Sequence, residues 1–509
     1  MRRRLSGRRP AIAGSLASAV ALGAGELVSG LTRRGPSLLL SVGQWVIERV
    51  PPTVESLAIG VLGTSDKPGL VVAMTVVAVL LGGLVGRSAQ RRFWPAALAF
   101  PLAAGAGTLA ALSRSTAAPA LTVIAGITAA AAGLLTLRLL LRPAPARDVL
   151  AAEADEGRRD ALRLLGQAAG LAVVAAGTGR LLARLLTEAS SAPGVVLARA
   201  ARALAPPPAA ASFEAIPGLT PLFTRNRDFY RIDTALVVPR VDLDRWRLRV
   251  TGMVDRPFEV SYAELMSMPQ VEADITLSCV SNEVGGKLAG AARWQGVPLA
   301  EVLERAGVRQ GATQIVGRSV DGWTSGFPTE MVSDGRAALV AVGMNGKPLP
   351  LTHGFPARLV VSGIYGYVSA TKWLTEIELT TLDFDAYWAP RGWSKLGPVK
   401  SQSRIDVPHD DQTVPAGRRS IAGVAWAPID GVSRVEVSID DGSWQEAILA
   451  EALSVDIWRQ WRHDWDATPG RHRITVRTID GRGEVQTAQQ RSPRPGAASG
   501  HHSVDVSVR

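Results

Sequence analysis

The sequence predicts a multi-domain protein: an N-terminal all-α transmembrane bundle, an α+β domain, and a C-terminal β-sandwich of immunoglobulin type. Three observations carry that expectation. Residues 1–190 are dominated by Ala, Leu, Val and Gly; eleven of the thirteen tryptophans and all six histidines lie after residue 210; and from Arg404 onward short strands alternate with Asp-Gly turns. A chain of 509 residues is long enough for about three domains, and this unevenness says that they are physically different.

Four apolar stretches, residues 11–31, 68–87, 93–112 and 119–141, are long enough to cross a bilayer as helices. A fifth, residues 161–186, is interrupted near its end by Arg180 and Arg184. Between the first two, residues 37–63 carry Trp45, Glu48, Arg49, Pro51, Pro52 and Glu55 and read as interfacial. Basic clusters set the orientation. Arg2-Arg3-Arg4 with Arg8-Arg9, Arg87 with Arg91-Arg92, and Arg138, Arg142, Arg147, Arg158 and Arg159 belong on the cytoplasmic side, while Arg33-Arg34 runs against the bias. Five crossings from a cytoplasmic N-terminus put everything after residue 190 outside. Residues 1–190 are therefore expected to be a multi-pass region in the cell membrane, with the lipid bilayer as partner and the domains after residue 190 extracytoplasmic.

The formal charge of +11 follows from this topology, because the arginines flank apolar runs rather than interleaving with aromatics on a soluble face. No nucleic-acid partner is expected. The entry to the fifth segment, Arg158-Arg159-Asp160-Ala161-Leu162-Arg163, reads either as an internal twin-arginine export signal or as an ordinary positive-inside anchor. No signal-peptidase pattern follows the first apolar run, so no cleavage is expected there. Residues 191–212, with Pro206-Pro207-Pro208, predict a semi-rigid linker.

From residue 213 to 402 short alternating strands, Gly and Pro turns and two short helical patterns predict the α+β domain. Residues 403–490 repeat strands without helices, joined by turns such as Asp440-Asp441-Gly442 and Asp480-Gly481, which predicts the sandwich. Residues 491–509 are rich in Pro, Gly, Ser and Ala and read as a disordered tail in which His501-His502 is incidental.

The chain has one cysteine, Cys279, at the end of a predicted strand in Leu277-Ser278-Cys279-Val280-Ser281-Asn282. A single cysteine forms no internal disulfide. It is a buried small hydrophobe, a metal ligand or a nucleophile.

Several patterns, taken together and in order, resemble the sulfite oxidase superfamily of molybdopterin enzymes, in its bacterial membrane-anchored type. They are Phe223-Thr224-Arg225-Asn226, the Cys279 turn, Ala292-Arg293-Trp294-Gln295-Gly296, Asp321-Gly322-Trp323, Met344-Asn345-Gly346-Lys347-Pro348, His353-Gly354-Phe355-Pro356-Ala357-Arg358, Lys372-Trp373-Leu374 and Val399-Lys400-Ser401-Gln402-Ser403-Arg404. The sandwich, with Gly423-Val424-Ala425-Trp426 and Trp461-Arg462-His463-Asp464-Trp465, is similar to the dimerisation domain of that superfamily, which implies a possible homodimer. The resemblance implies molybdenum with molybdopterin as cofactor. It assigns Cys279 to the metal and Arg225, Asn226, Asn282, His353, Arg358 and Lys372 to the cofactor. A thiolate suits a high-valent metal already held by dithiolene sulfurs, and a phosphate tail calls for a guanidinium fork, an ammonium and an imidazole donor. Taken singly, Arg358 and Lys372 are equally readable as solvated strand charges and His353 as a satisfied loop histidine.

The family pattern breaks in two places. Sulfite-oxidising members carry an arginine shortly after the cysteine, where this chain has Glu283-Val284-Gly285-Gly286. Their active-site tyrosine falls at Asp385, with Tyr387 two residues on, and these two complete the expected catalytic set with Cys279. A carboxylate repels sulfite, so the expected reaction is two-electron, oxygen-atom transfer on another small substrate. The first half has no histidine and the chain no Cys-x-x-Cys-His, so no haem is expected in this chain and electrons pass to or from a separate carrier. Two other readings stand: a Cys279-nucleophile transferase, which needs a positioned histidine, and a membrane-tethered non-catalytic scaffold.

Overall fold

Helices rising 1.5 Å per residue need about 20 residues to cross a hydrocarbon core of roughly 30 Å, and four helices among the described residues meet that length. In the computed structural model, which describes residues 8–31, 37–47, 49–51, 66–113, 118–142 and 194–509 with Gly166, Gly170 and Gly177, they are α1 (Arg8–Gly30), α3 (Asp66–Ala89), α4 (Trp94–Leu112) and α5 (Pro119–Leu140). The shorter α2 (Leu38–Ile47) falls in the stretch read as interfacial. The expected fifth span, but for three glycines, and the Arg158-Arg159 stretch lie outside the described residues.

Small residues face inward in this bundle and large apolar ones outward. Ala13, Ala17, Ala96, Ala111 and Ala125 are buried, whereas Leu80, Leu84, Leu102, Leu109, Ile127 and Leu135 are exposed. That inversion suits helices whose solvent is hydrocarbon. Helix α1 approaches α3 so closely that a Cβ on Gly14 would overlap the backbone at Gly82 and Gly86. Residues up to 190, with residues 235–240, make up this unit; residues 191–234 and 241–509 make up the other.

The second unit contains four sheets. The strands β1 (Arg247–Gly252), β2 (Phe258–Ser261), β5 (Gln314–Ser319), β6 (Thr324–Pro328) and β10 (Leu374–Thr380) form one, in the order β2-β1-β10-β5-β6. A second runs β3-β4-β7-β8 from β3 (Val271–Ser278), β4 (Ala289–Pro298), β7 (Ala338–Met344) and β8 (Lys347–Pro348), with β9 (Arg358–Val361) paired to β7. Three short helices, α6 (Tyr262–Ser267), α7 (Leu299–Ala306) and α8 (Gly366–Ser369), are spliced between strands, α6 starting on a Ser261/Glu264 capping box. This is the expected α+β domain.

Strands β11 (Gln402–Val407), β13 (Gly417–Trp426), β16 (Ile448–Leu449) and β17 (Arg459–Ala467) form the third sheet, and β12 (Thr413–Val414), β14 (Val432–Ile439), β15 (Gln445–Glu446), β18 (Gly470–Asp480) and β19 (His502–Val508) the fourth. Ile421, Trp461 and Trp465 of one sheet and Val435, Val437, Ile474, Val476, Val504 and Val506 of the other share a single core. Alternating inward side chains from two sheets make a two-layer β domain.

Two expectations from the sequence need correction. The tail read as disordered contains β19, which pairs with β18 from Gly470↔Val508 to Val476↔His502 and with β12. The alternation Val504, Val506, Val508 buries one face; the Pro-, Gly- and Ser-rich composition belongs to the loop before it. The proposed linker is docked rather than free. Ala201 donates to the Gln270 carbonyl, Leu204 to Glu272, and the Ala198 carbonyl accepts from Gln295. Further on, Ala211 and Leu222 join Ala289, Ala291, Val424, Trp426, Ile457 and Trp458 in a cluster that ties the α+β domain to the sandwich.

Candidate active site

Strand β3 ends at Ser278, paired with Ala289, and the chain then makes a ten-residue loop back into β4. Cys279 is its first residue. The Cys279 amide donates to the Leu288 carbonyl at 2.9 Å, the Leu288 amide to the Asn282 side-chain oxygen at 2.7 Å, and the Asn282 amide to the Cys279 carbonyl at 3.0 Å. These three bonds close the loop at its base. Asn282 thus has a structural role in the loop and does not line the cavity; its side-chain NH2 is buried without a partner.

Cys279 opens into a cavity whose wall includes Tyr230, Asp233, Asp321, Arg358, Lys372 and Trp388. Burial pushes its thiol up, against opposing pulls from the Ser281 amide, 3.4 Å from Sγ, and from Lys372. Nucleophilic cysteines need the opposite shift.

Arg358 begins β9 and is 3% exposed. Its Nη1 donates to the His353 carbonyl at 3.1 Å, and burial lowers its pKa to about 10. No carboxylate pairs with it among the described residues. Lys372 stands just before β10, held by an uncommon local conformation. Trp373 has φ +48°, its indole donates to the Leu351 carbonyl, and its amide to Gly354, whose own φ is +108°. A bulky residue in the left-handed region is strained and persists only where packing requires it. Here it brings the 351–354 turn against Lys372. Burial lowers the ammonium to about 8, with Asp233, 3.1 Å away, opposing.

His353 is buried beside these cations, and burial, reinforced by Lys372, holds its pKa down at about 3. Its Nε2 faces the Asn226 carbonyl at 2.8 Å. A carbonyl only accepts, so the ring proton sits on Nε2 and the orphaned buried Nδ1 carries a lone pair. The imidazole donor expected for a phosphate is therefore already used. Asn226 exchanges hydrogen bonds with Asn345 and Met344 and anchors His353 from behind.

Three expected site residues lie elsewhere. Arg225 is exposed and paired to Asp228 at 2.8 Å. Asp385 is exposed and paired to Lys395 at 2.9 Å. Tyr387 has the Arg391 guanidinium 3.7 Å over one face and Trp388 against its edge. Neither Asp385 nor Tyr387 lines the cavity; their neighbour Trp388 does, with Trp323 and Tyr367. The sequence reasoning missed Tyr230, whose hydroxyl is pushed up by burial and by Cys279, and Asp321, raised by burial with Asp233 adding to the shift. An aromatic pair, Phe229-Tyr230, four residues after the Arg225-Asn226 pattern was the available signal.

The residues present fit a pterin cofactor with a phosphate tail. Arg358, buried with no carboxylate paired to it among the described residues and adding to the lowering of Lys372, calls for an anion, and Asn282 and His353 leave an unused donor and an unused acceptor beside the loop and the cations. Among the described residues no cluster of three His, Cys, Asp or Glu side chains holds a metal. A metal at Cys279 must therefore bring most of its ligands with it.

Residues 235–388 match the family described as oxidoreductase molybdopterin binding domain. The chain is 31% identical over 287 residues to the mitochondrial sulfite oxidase of Rattus norvegicus, covering 47% of this chain and 51% of that one, so it spans about half the length of the mammalian relatives it matches. It is 32% identical over 164 residues to the uncharacterized oxidoreductase YuiH of Bacillus subtilis, covering 32% of this chain and 80% of that protein. The sulfane dehydrogenase SoxCD of Paracoccus pantotrophus superposes with a TM-score of 0.51 at 20% identity, over 57% of this chain and 84% of its own; that likeness is one of fold. On these matches the chain belongs to the sulfite oxidase superfamily of molybdenum-dependent, molybdopterin-binding oxidoreductases.

Proposed function

We propose that the protein is a membrane-anchored molybdopterin oxidoreductase that performs two-electron, oxygen-atom transfer on a small neutral substrate at the extracytoplasmic face, exchanging electrons with a separate carrier. The observation that carries this reading is the cavity itself, where one buried cysteine shares a wall with two buried cations, six aromatic side chains and two aspartates. When bound, the molybdenum-pterin group supplies the oxygen-atom exchange.

The chain's own residues supply position and environment. Cys279 would hold the metal as a thiolate. Arg358 and Lys372 bind and orient the phosphate by charge-assisted hydrogen bonds. Trp323, Tyr367 and Trp388 exclude water from the open side, and Asp321, its carboxyl raised by burial, is the group suited to hold a proton there. Asp321 disfavours an anionic substrate whenever it is ionised, Asp233 is spent on Lys372, and Glu283 leaves the loop without the cation of sulfite-oxidising members.

The raised Cys279 thiol and the engagement of His353 Nε2 by Asn226 speak against the nucleophile reading. The scaffold reading keeps its membrane unit and two-sheet domain without catalysis. Assignment of that domain to the immunoglobulin type, and dimerisation through it, belong to the same proposal. Steady-state assays with an artificial electron carrier test the substrate class. Neutral sulfoxides turn over with a kcat/KM above that for sulfite; efficient sulfite oxidation with none of a neutral acceptor would overturn it.

A further inference from the structure

The loop that starts at Cys279 is closed at its base by its own hydrogen bonds, but its far side is held by the sandwich. Arg404, on β11, is 7% exposed and engages each of its three guanidinium nitrogens: Nη1 donates to the Gly286 carbonyl at 2.9 Å, Nη2 to the Thr220 hydroxyl at 2.7 Å, and Nε to Asp406 at 2.7 Å. The other Asp406 oxygen accepts from the Thr220 amide at 3.1 Å. A buried charge with its ion pair and every guanidinium nitrogen engaged is a rigid strut.

The second contact comes from the last strand. His502, the first residue of β19, accepts from the Ile405 amide through Nδ1 at 3.0 Å, which fixes its ring. That ring lies against Gly285, which has φ +76°, and a Cβ there would overlap the imidazole. A Cβ on the next residue, Gly286, would come within 2.6 Å of the Asn282 side-chain oxygen, the acceptor that closes the loop. Gly285-Gly286 is therefore the point where the sandwich and the base of the Cys279 loop both press on one short stretch of backbone.

We infer that Arg404 and His502 are positioning residues: the sandwich clamps residues 285–286 and so fixes the loop that carries Cys279. The sandwich is then part of the site's framework as well as a possible oligomerisation surface. Relevance to catalysis rests on the proposed function, but the clamp itself is testable without it, because Cys279 is the sole thiol of the chain.

The test uses the full-length chain, purified in detergent from a host that makes no molybdopterin, and measures the rate at which iodoacetamide alkylates Cys279. Buried thiols react through local opening, and losing one charge-assisted hydrogen bond shifts such an opening by about tenfold or more. Arg404→Gln is expected to speed alkylation by at least that factor and Arg404→Lys by less. Arg459→Gln, which removes bonds to Ala450 and Val432 inside the sandwich, is expected to leave the rate unchanged at an equal loss of Tm. If Arg404→Gln does not fold, His502→Ala carries the same comparison. In molybdenum-loaded enzyme the same variant alters the Mo(V) paramagnetic resonance signal. Alkylation that rises no more in Arg404→Gln, or in His502→Ala, than in Arg459→Gln at matched Tm would overturn the inference, whatever the enzyme's substrate.

Discussion

Arg358 lies over the indole of Trp294, its guanidinium carbon 5.0 Å from the ring centroid, while its Nη1 holds the His353 carbonyl. The aromatic face and two carbonyls, those of His353 and Leu359, partly offset the cost of burying the charge, and no carboxylate among the described residues cancels it. The cation is thus kept available for an anion.

Replacing it should separate cofactor binding from folding. Arg358→Ala is expected to lower pterin occupancy by about tenfold or more, the effect of one lost charge-assisted contact, whereas Tyr387→Phe leaves occupancy near wild type because that ring faces Arg391 and Trp388 outside the cavity. Pterin released by acid and quantified by fluorescence gives the comparison.

Lys372 gives the cofactor-free protein an alkaline signature. Its folded pKa, about 8, is below that of the unfolded chain, so the unfolded state binds more protons between those values and stability rises with pH across that window. Lys372→Met should abolish the rise, measured as Tm against pH. For His353, lowered to about 3, the same reasoning gives stability lost as pH falls below the unfolded histidine value, and His353→Gln should flatten that acid limb.

Charge in the substrate wall is expected to set selectivity. Asp321→Asn should raise kcat/KM for sulfite relative to a neutral sulfoxide by about tenfold, since a buried like charge is worth about a kcal/mol or more. Selectivity unchanged by the substitution would mean that Asp321 is protonated or faces away from the substrate.

Topology is testable independently. A reporter fused after Ala192 is expected to be external if residues 161–186 form a fifth span; a cytoplasmic reporter would leave the four described spans alone.

Much of this site was legible because it is local in sequence. Cys279 sits at a strand end, and Arg358 and Lys372 sit at strand starts, where side chains project into a cavity regardless of finer packing. Asp385 and Tyr387 failed for a different reason: a short shift of register separates them from Trp388, and the ion pair to Lys395 and the Arg391 stack, which turn them away, are not sequence patterns. The tail misled by composition, since three alternating valines in β19 outweigh a preceding Pro- and Gly-rich loop. Tyr230 and Arg404 reach their partners across long sequence separations, which composition and spacing do not encode.

Metal analysis tests the central claim most directly. Protein made in a molybdenum-replete host is expected to contain about one molybdenum and one pterin per chain, as a site with a single soft protein ligand requires, and Cys279→Ser should retain pterin but lose turnover. Wild-type protein free of molybdenum and pterin, or a Cys279→Ser variant with wild-type turnover, would contradict the account.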